Sequence, residues 1–171
     1  CSNRPIAIFN ISVYLTVCLQ KMKYLYRGVS ESHYRRTNGK LIPKLNDIFA
    51  SYMQCGQEYA QCGSGMGCGL SAANEVVKHE FRQKGNPTSG ISTTPHLVRA
   101  KVYATREGEY PSGHIFKIDR TKFSLYGVTE YIVSEIVPFP SIPEDEEIII
   151  VASDFGPIPD EVITSIDYFT F

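Results

Sequence analysis

Three short stretches of this 171-residue chain carry side chains that could do chemistry together. They are Tyr24-Leu25-Tyr26-Arg27-Gly28, Gly90-Ile91-Ser92-Thr93-Thr94-Pro95 and Pro143-Glu144-Asp145-Glu146-Glu147-Ile148. The pattern is an arginine on a short apolar strand, a strand carrying Ser-Thr-Thr, and an acidic run opening a third strand. Charge is uneven around them. Lys21 to Lys44 holds seven Lys or Arg against one acid, Glu31, whereas Glu130 to Glu161 holds nine acids and no base. Such asymmetry describes either two solvated faces of opposite sign or a basic groove for phosphate beside an acidic loop with another task. A different chemistry is open to Cys68. Ahead of a helix, its thiolate would be stabilised by the helix N-terminus, and His79, His96 or His114 could supply the base of a Cys–His pair. A small thiol buried in a tight loop is the plainer reading.

Several classes are excluded. A formal net charge of −1 argues against coating nucleic acid by electrostatics alone. The five cysteines, Cys1, Cys18, Cys55, Cys62 and Cys68, form no CxxC pair, so their spacing gives no support for zinc. The glycines at 56, 63, 65, 67 and 69 fit neither GxGxxG nor GxxxxGK[ST]. Ile6 to Leu19 is mostly apolar but too short to span a bilayer as a helix. It reads as a packed N-terminal extension over residues 1–21, with a retained signal segment as the alternative.

The elements that must position the three stretches can be read from local pattern. Lys23–Arg27 is expected as a strand, with Gly28-Val29-Ser30 as a turn leaving it. Leu45, Ile48, Phe49 and Tyr52 have helical spacing and predict a helix over Leu45–Tyr52. Ser71 is a plausible N-cap for a helix through Phe81, with Glu75 and Lys78 outside. Thr94 as N-cap and Pro95 in the first turn predict a helix over His96–Thr105. His114–Asp119 alternates as a strand, Val128–Val137 is β-branched and extended, and Ile148–Val151 is an apolar strand buried on both faces. Prolines 138, 140 and 143 stiffen the segment between them. Ile163–Phe171 supplies a last strand. Six to eight short strands and two or three helices, mostly in the first half, make an α+β domain over residues 22–171.

In this order, Tyr26-Arg27-Gly28, Leu41-Ile42-Pro43, Gly90-Ile91-Ser92-Thr93-Thr94, the acidic run before Ile148 and Gly156-Pro157-Ile158-Pro159 resemble the arginine–serine–glutamate class of mono-ADP-ribosyltransferases. That group contains the cholera and heat-labile enterotoxin A subunits. The resemblance implies an ADP-ribosyltransferase-like fold, two small packed β-sheets around an NAD cleft. It implies transfer of ADP-ribose from NAD to a protein or nucleic acid with release of nicotinamide, without a metal, in a bacterial toxin or effector with a possible immunity protein or antitoxin.

By that resemblance, Glu147 would bond the ribose 2′-hydroxyl and steady its positive charge, since preorganised charge is often the largest catalytic effect. Ser92 would hold the glutamate and the ribose, with Thr93 beside it. Arg27 would grip phosphate and ribose oxygens with its planar fork. Gly28 would offer its backbone to the nicotinamide amide, and Tyr103 would stack on the nicotinamide. The family carries Glu or Gln two places before the catalytic glutamate, where this chain has Asp145. The alternative register makes Glu146 the catalytic acid, and the two are exclusive, because adjacent strand residues face opposite ways. Proline-bounded Phe139 falls where the family carries its target-recognition loop. A catalytically inactive binding module of the same fold, and a Cys68 hydrolase, are the competing readings.

Overall fold

The computed structural model describes residues 23–54, 56, 65–81 and 87–170. The N-terminal extension, four of the cysteines and most of the glycine-rich loop lie outside the described residues. What is described is α+β, with eight strands and four α-helices.

The first sheet is antiparallel. Strand β1 (Tyr24–Ser30) pairs with β5 (Ser112–Asp119) from Tyr24↔Asp119 to Ser30↔Gly113, and β5 pairs with the edge strand β8 (Ile163–Thr170). Alternation along β1 puts Leu25 and Val29 into the main core with Phe116 and Ile118, and Arg27 lies between them. The expected turn at Gly28-Val29-Ser30 is instead the end of this strand. Helix α1 (Glu31–Arg36) follows at once, capped by the Ser30 hydroxyl, which accepts from the His33 N–H.

The second sheet has the order β4–β7–β6, from Ile91–Thr93, Ile148–Ala152 and Val128–Ile132. All five residues of β7 are buried. Ile148, Ile150 and Ala152 join the main core, while Ile149 and Val151 join a second core with Phe49, Val76, Val77 and Val133. Burial on both faces is therefore the arrangement its unbroken apolar run demands. The β-branched run after Ile132 does not continue as a strand. It turns into α4 (Val133–Ile136), sending Val133 and Val137 inward against the second core.

A short ribbon of β2 (Ser51–Met53) and β3 (Gly69–Ser71) leads into α2 (Ala72–Glu80), capped by Ser71 as the sequence implies. No helix forms over Leu45–Tyr52. Among its spaced apolar residues only Phe49 is buried, and Leu45, Ile48 and Tyr52 are exposed. Glu75, expected outside, is buried and accepts from the Ser51 hydroxyl. Helix α3 (Leu97–Ala104) lies close to its predicted span, but His96, not Thr94, occupies the N-cap position. Among the described residues two α-helices thus lie in each half of the chain, rather than mostly in the first. No helix among the described residues is long and apolar enough to cross a membrane.

The two sheets share the main core and, among the described residues, are joined by one isolated backbone bridge. Tyr26 and Thr94 exchange N–H···O bonds of 2.8 and 3.0 Å, bridging β1 to the end of β4. Beside that bridge a cavity opens between β1 and β4.

Candidate functional site

Each wall of that opening supplies one of the anticipated side chains. Arg27 comes from β1, Ser92 from β4, and Glu147 from the residue before β7. All three line a cavity of about 250 Å³, together with Gly28, Thr93, Tyr103 and Asp145. Strand register explains the convergence. Ser92 faces Ile149 across the β4–β7 ladder, and Glu147 lies two residues from Ile149, so Ser92 and Glu147 share one face of the sheet. That face is covered by α2, which brings His79 against them.

Around Ser92 the polar groups form a directed chain. The Ser92 hydroxyl donates to Glu147, which leaves its oxygen to accept from His79 Nε2 at 2.9 Å. His79 Nδ1 meets the Thr88 hydroxyl at 2.6 Å, and Thr88 Oγ1 accepts from the Gly90 N–H at 3.1 Å. A neutral imidazole protonated on Nε2 satisfies every partner, with Nδ1 accepting from Thr88. Electrostatics agrees, because burial first, and then the charges of Arg27 and Lys44, push His79 down to about 4. The 3.8 Å approach of His79 Nε2 to Glu147 is therefore not an ion pair at neutral pH.

Glu147 is shifted the other way. Burial raises it above the usual carboxylate range, opposed by the Ser92 hydrogen bond and the Arg27 charge and reinforced by Glu80 and Asp145. Arg27 is itself lowered by burial, with Glu147 and Tyr103 acting against that. Its Nη1 donates to the Ser92 carbonyl at 3.0 Å, tying the two strands across the opening. An arginine loses only a little of its charge preference by such a shift and remains a cation.

Gly28 belongs to the site for two reasons. A Cβ there would stand 1.8 Å from the Ala100 carbonyl of α3, so only glycine lets the helix pack against β1. Moreover, N–H and C=O groups of alternate strand residues point to the same edge. Since Tyr26 turns its pair toward Thr94, Gly28 turns its pair toward the cavity.

The remaining candidates separate clearly. The Thr93 hydroxyl is spent on the Ile148 carbonyl at 2.6 Å, so this buried side chain braces the sheet. Tyr103 lines the cavity, but its O–H donates to Asp145 and its pKa is pushed up to about 12, chiefly by burial and then by that bond. Asp145 is buried and also accepts from Arg99 Nε at 2.6 Å. Glu146 is not brought to the cavity. It sits at φ 44° after a single 3-10 turn (Pro143–Asp145), exposed, and its carboxylate meets His96 at 3.1 Å. Phe139 is 87 % exposed, and its loop is tied to α2 where the Ser141 N–H donates to the buried Glu80 carboxylate, one residue from His79.

The Cys–His alternative loses its partners. Cys68 is exposed, and His79 is held by Thr88 and Ser92, His96 by Glu146, and His114 by Glu31 at 2.6 Å. No cluster of potential metal ligands exists among the described residues. Sequence reasoning missed His79 as a support for Ser92, with Thr88 behind it, and Arg99 as the partner of Asp145. Such pairings join positions 13 and 46 residues apart, and local pattern carries no trace of them.

A second cavity of about 310 Å³ adjoins the first. It shares Arg27, Gly28, Val29, His33 and Tyr103 with it and adds Ser30, Ser32, Arg36, Arg106 and Tyr110. Arg27 thus stands between a carboxylate-bearing chamber and a cation-rich one. A protein-family model described as NarE matches residues 24–150, a span that includes every residue of both chambers. No curated protein matches the chain.

Proposed function

The chain belongs to the NarE family, which is ADP-ribosyltransferase-like, and from that premise we propose that it transfers ADP-ribose from NAD to an acceptor and releases nicotinamide. The observation that carries this reading is the meeting of Arg27, Ser92 and Glu147 in one cavity between β1 and β4. The fold is then the two-sheet arrangement of the arginine–serine–glutamate class.

NAD supplies a ribose that becomes positive as its bond to nicotinamide breaks. Glu147 is the fixed anion facing that charge and accepts the ribose 2′-hydroxyl. Burial raises its pKa, so the charged carboxylate is held at a cost that a developing cation nearby offsets. Ser92 keeps the carboxylate aimed. His79, held by Thr88, keeps the Ser92 proton pointed at Glu147 rather than at the imidazole. Gly28 turns a backbone N–H and C=O toward the nicotinamide amide, with the Tyr103 ring on the adjoining wall. Arg27 grips the diphosphate at the junction of the two chambers, and the cations of the second chamber, Arg36 and Arg106, suit the adenylate side. Exposed Phe139, on a proline-stiffened loop anchored beside His79, is a contact for a macromolecular acceptor.

The test is nicotinamide release from NAD by the purified protein, with Glu147→Gln as control. Release that disappears in the variant supports the reading. Binding of NAD without release describes an inactive binding module instead. Labelled NAD incubated with lysate and then digested with protease or nuclease identifies the acceptor class.

A further inference from the structure

The six arginines among the described residues fall into two kinds. Arg35, Arg99 and Arg120 each meet a carboxylate at 2.6 Å, those of Glu31, Asp145 and Glu130. None of Arg27, Arg36 and Arg106 has a carboxylate that close, and these three line the second chamber. Each is steadied by a neutral group instead. Arg27 donates to the Ser92 carbonyl, and Arg36 Nη2 donates to His33 Nδ1 at 2.8 Å, which a neutral imidazole accepts. Arg106 Nη1 donates to the Tyr110 hydroxyl at 3.1 Å, and its guanidinium lies over that ring, 5.6 Å from the centroid. Its contact with Glu109 is longer, 3.6 Å between side chains 64 and 62 % exposed, and water screens it. Among the described residues no carboxylate lines this chamber, whereas hydroxyls of Ser30, Ser32 and Tyr110 do. The uncompensated positive field is felt by His33, lowered by burial first and then by Arg36, Arg27 and Lys44. Arg106 and Glu107 also hold φ of 48° and 57°, a costly conformation for residues with a Cβ and one that gathers at ligand sites.

From this arrangement we propose that the second chamber receives a phosphomonoester on the adenosine ribose, so that the dinucleotide taken by the protein is NADP in preference to NAD. The inference rests on the NAD reading above and deepens it. The two chambers share Arg27, Gly28 and Tyr103 on their walls, so one extended molecule can occupy both. With the reacting ribose at Glu147 and the diphosphate at Arg27, the adenosine half reaches the second chamber. Arg36 and Arg106 are waiting there, and unmodified adenosine has no charge to offer them. A ribose phosphate carries about two negative charges near pH 7 and has three free oxygens. It can accept from both guanidinium forks and from the hydroxyls beside them, and such charge-assisted bonds are the strong ones. The arginines come from separate elements, α1 and the turn after α3, so their convergence is a product of the fold and not of a basic run in the chain.

The decisive experiment gives the full chain NAD and NADP separately and follows nicotinamide release against concentration. Expected is a kcat/KM for NADP at least about tenfold above that for NAD, with the gain in KM. In Arg36→Gln and in Arg106→Gln the ratio of NADP to NAD should fall to near unity. Arg35→Gln, which removes a carboxylate-paired arginine outside the chamber, should keep it. A calorimetric titration needs no nicotinamide chemistry. There 2′,5′-ADP should bind at least about tenfold tighter than 5′-ADP, and Arg36→Gln should abolish the difference. Equal use of the two dinucleotides, or equal binding of the two adenosine phosphates, overturns the inference. So does a preference lost equally in Arg35→Gln, since net charge alone would then account for it. Inorganic phosphate added to NAD distinguishes the source of the anion: release raised to the NADP rate assigns the chamber to the free ion and overturns the dinucleotide, while no increase supports it. If neither dinucleotide releases nicotinamide, the NAD reading fails, and the titration still decides whether the chamber takes a ribose phosphate.

Discussion

Glu147 and Asp145 stand two residues apart on one loop, line one cavity and are both largely buried, yet their surroundings have nothing else in common. Asp145 is held by a guanidinium and a phenol. Glu147 has one serine hydroxyl and a more distant arginine, and burial outweighs them, so its carboxylate is shifted toward the neutral form. The contrast teaches that reactivity here is set by what is withheld. A fully satisfied acid is a structural tie, and an incompletely satisfied one is available to a substrate.

The sharpest way to break this contrast is Glu147→Gln. Nicotinamide release should fall about a hundred- to a thousandfold, the usual cost of losing a preorganised charge, while the melting temperature rises. The sign follows from linkage. A carboxylate whose folded pKa lies above its unfolded value destabilises the fold once it ionises, so removing the charge at pH 7.5 stabilises. A lower melting temperature with release intact would erase the distinction between the two acids.

Next in size is the acid sensitivity imposed by His79. Its folded value of about 4 lies below the ordinary histidine value of 6.5, so the unfolded chain binds the extra proton between those limits. The stability that His79 brings is complete above pH 6.5 and is lost as pH falls toward 4, on the order of 3 kcal/mol in all. Urea melts of wild type and His79→Gln should show a shallower acid limb in the variant. Parallel acid limbs would place a charged imidazole beside Ser92.

Asp145→Asn should move in the opposite direction to Glu147→Gln, losing about 1–3 kcal/mol because Arg99 is left without its carboxylate. For a chain of this size that is several degrees of melting temperature by calorimetry. Smallest is Phe139→Ala. Stability should stay within about 0.5 kcal/mol, since the ring buries almost nothing, while labelling of a lysate falls. Destabilisation would make the ring part of the fold.

Much of this was legible in the chain. Arg27, Ser92 and Glu147 could be singled out because each lies on or beside a strand with a strong local pattern, and the Ser71 cap and the apolar run Ile148–Val151 report their own structure. Strand alternation made Glu146 and Glu147 exclusive alternatives, the family resemblance favoured Glu147, and Glu147 rather than Glu146 lines the cavity. Over Leu45–Tyr52 a helical period misled, because spacing records where apolar residues are and not whether anything covers them. Val133–Val137 misled differently, its β-branched residues being held in a helical turn by packing. Asp145 gave no sign of its fate, since Arg99 and Tyr103 reach it from another element.

Strand β7, sealed on both faces with Ile149 and Ile150 at 0 % exposure, has a kinetic consequence. Its amides should be among the last to exchange with deuterium, opening only in the global transition. Since Glu147 immediately precedes Ile148, its carboxylate is fastened to the slowest-opening unit of the molecule. Breathing at the surface leaves its aim unchanged, and the cavity should keep its geometry up to the temperature at which the protein ceases to be folded at all.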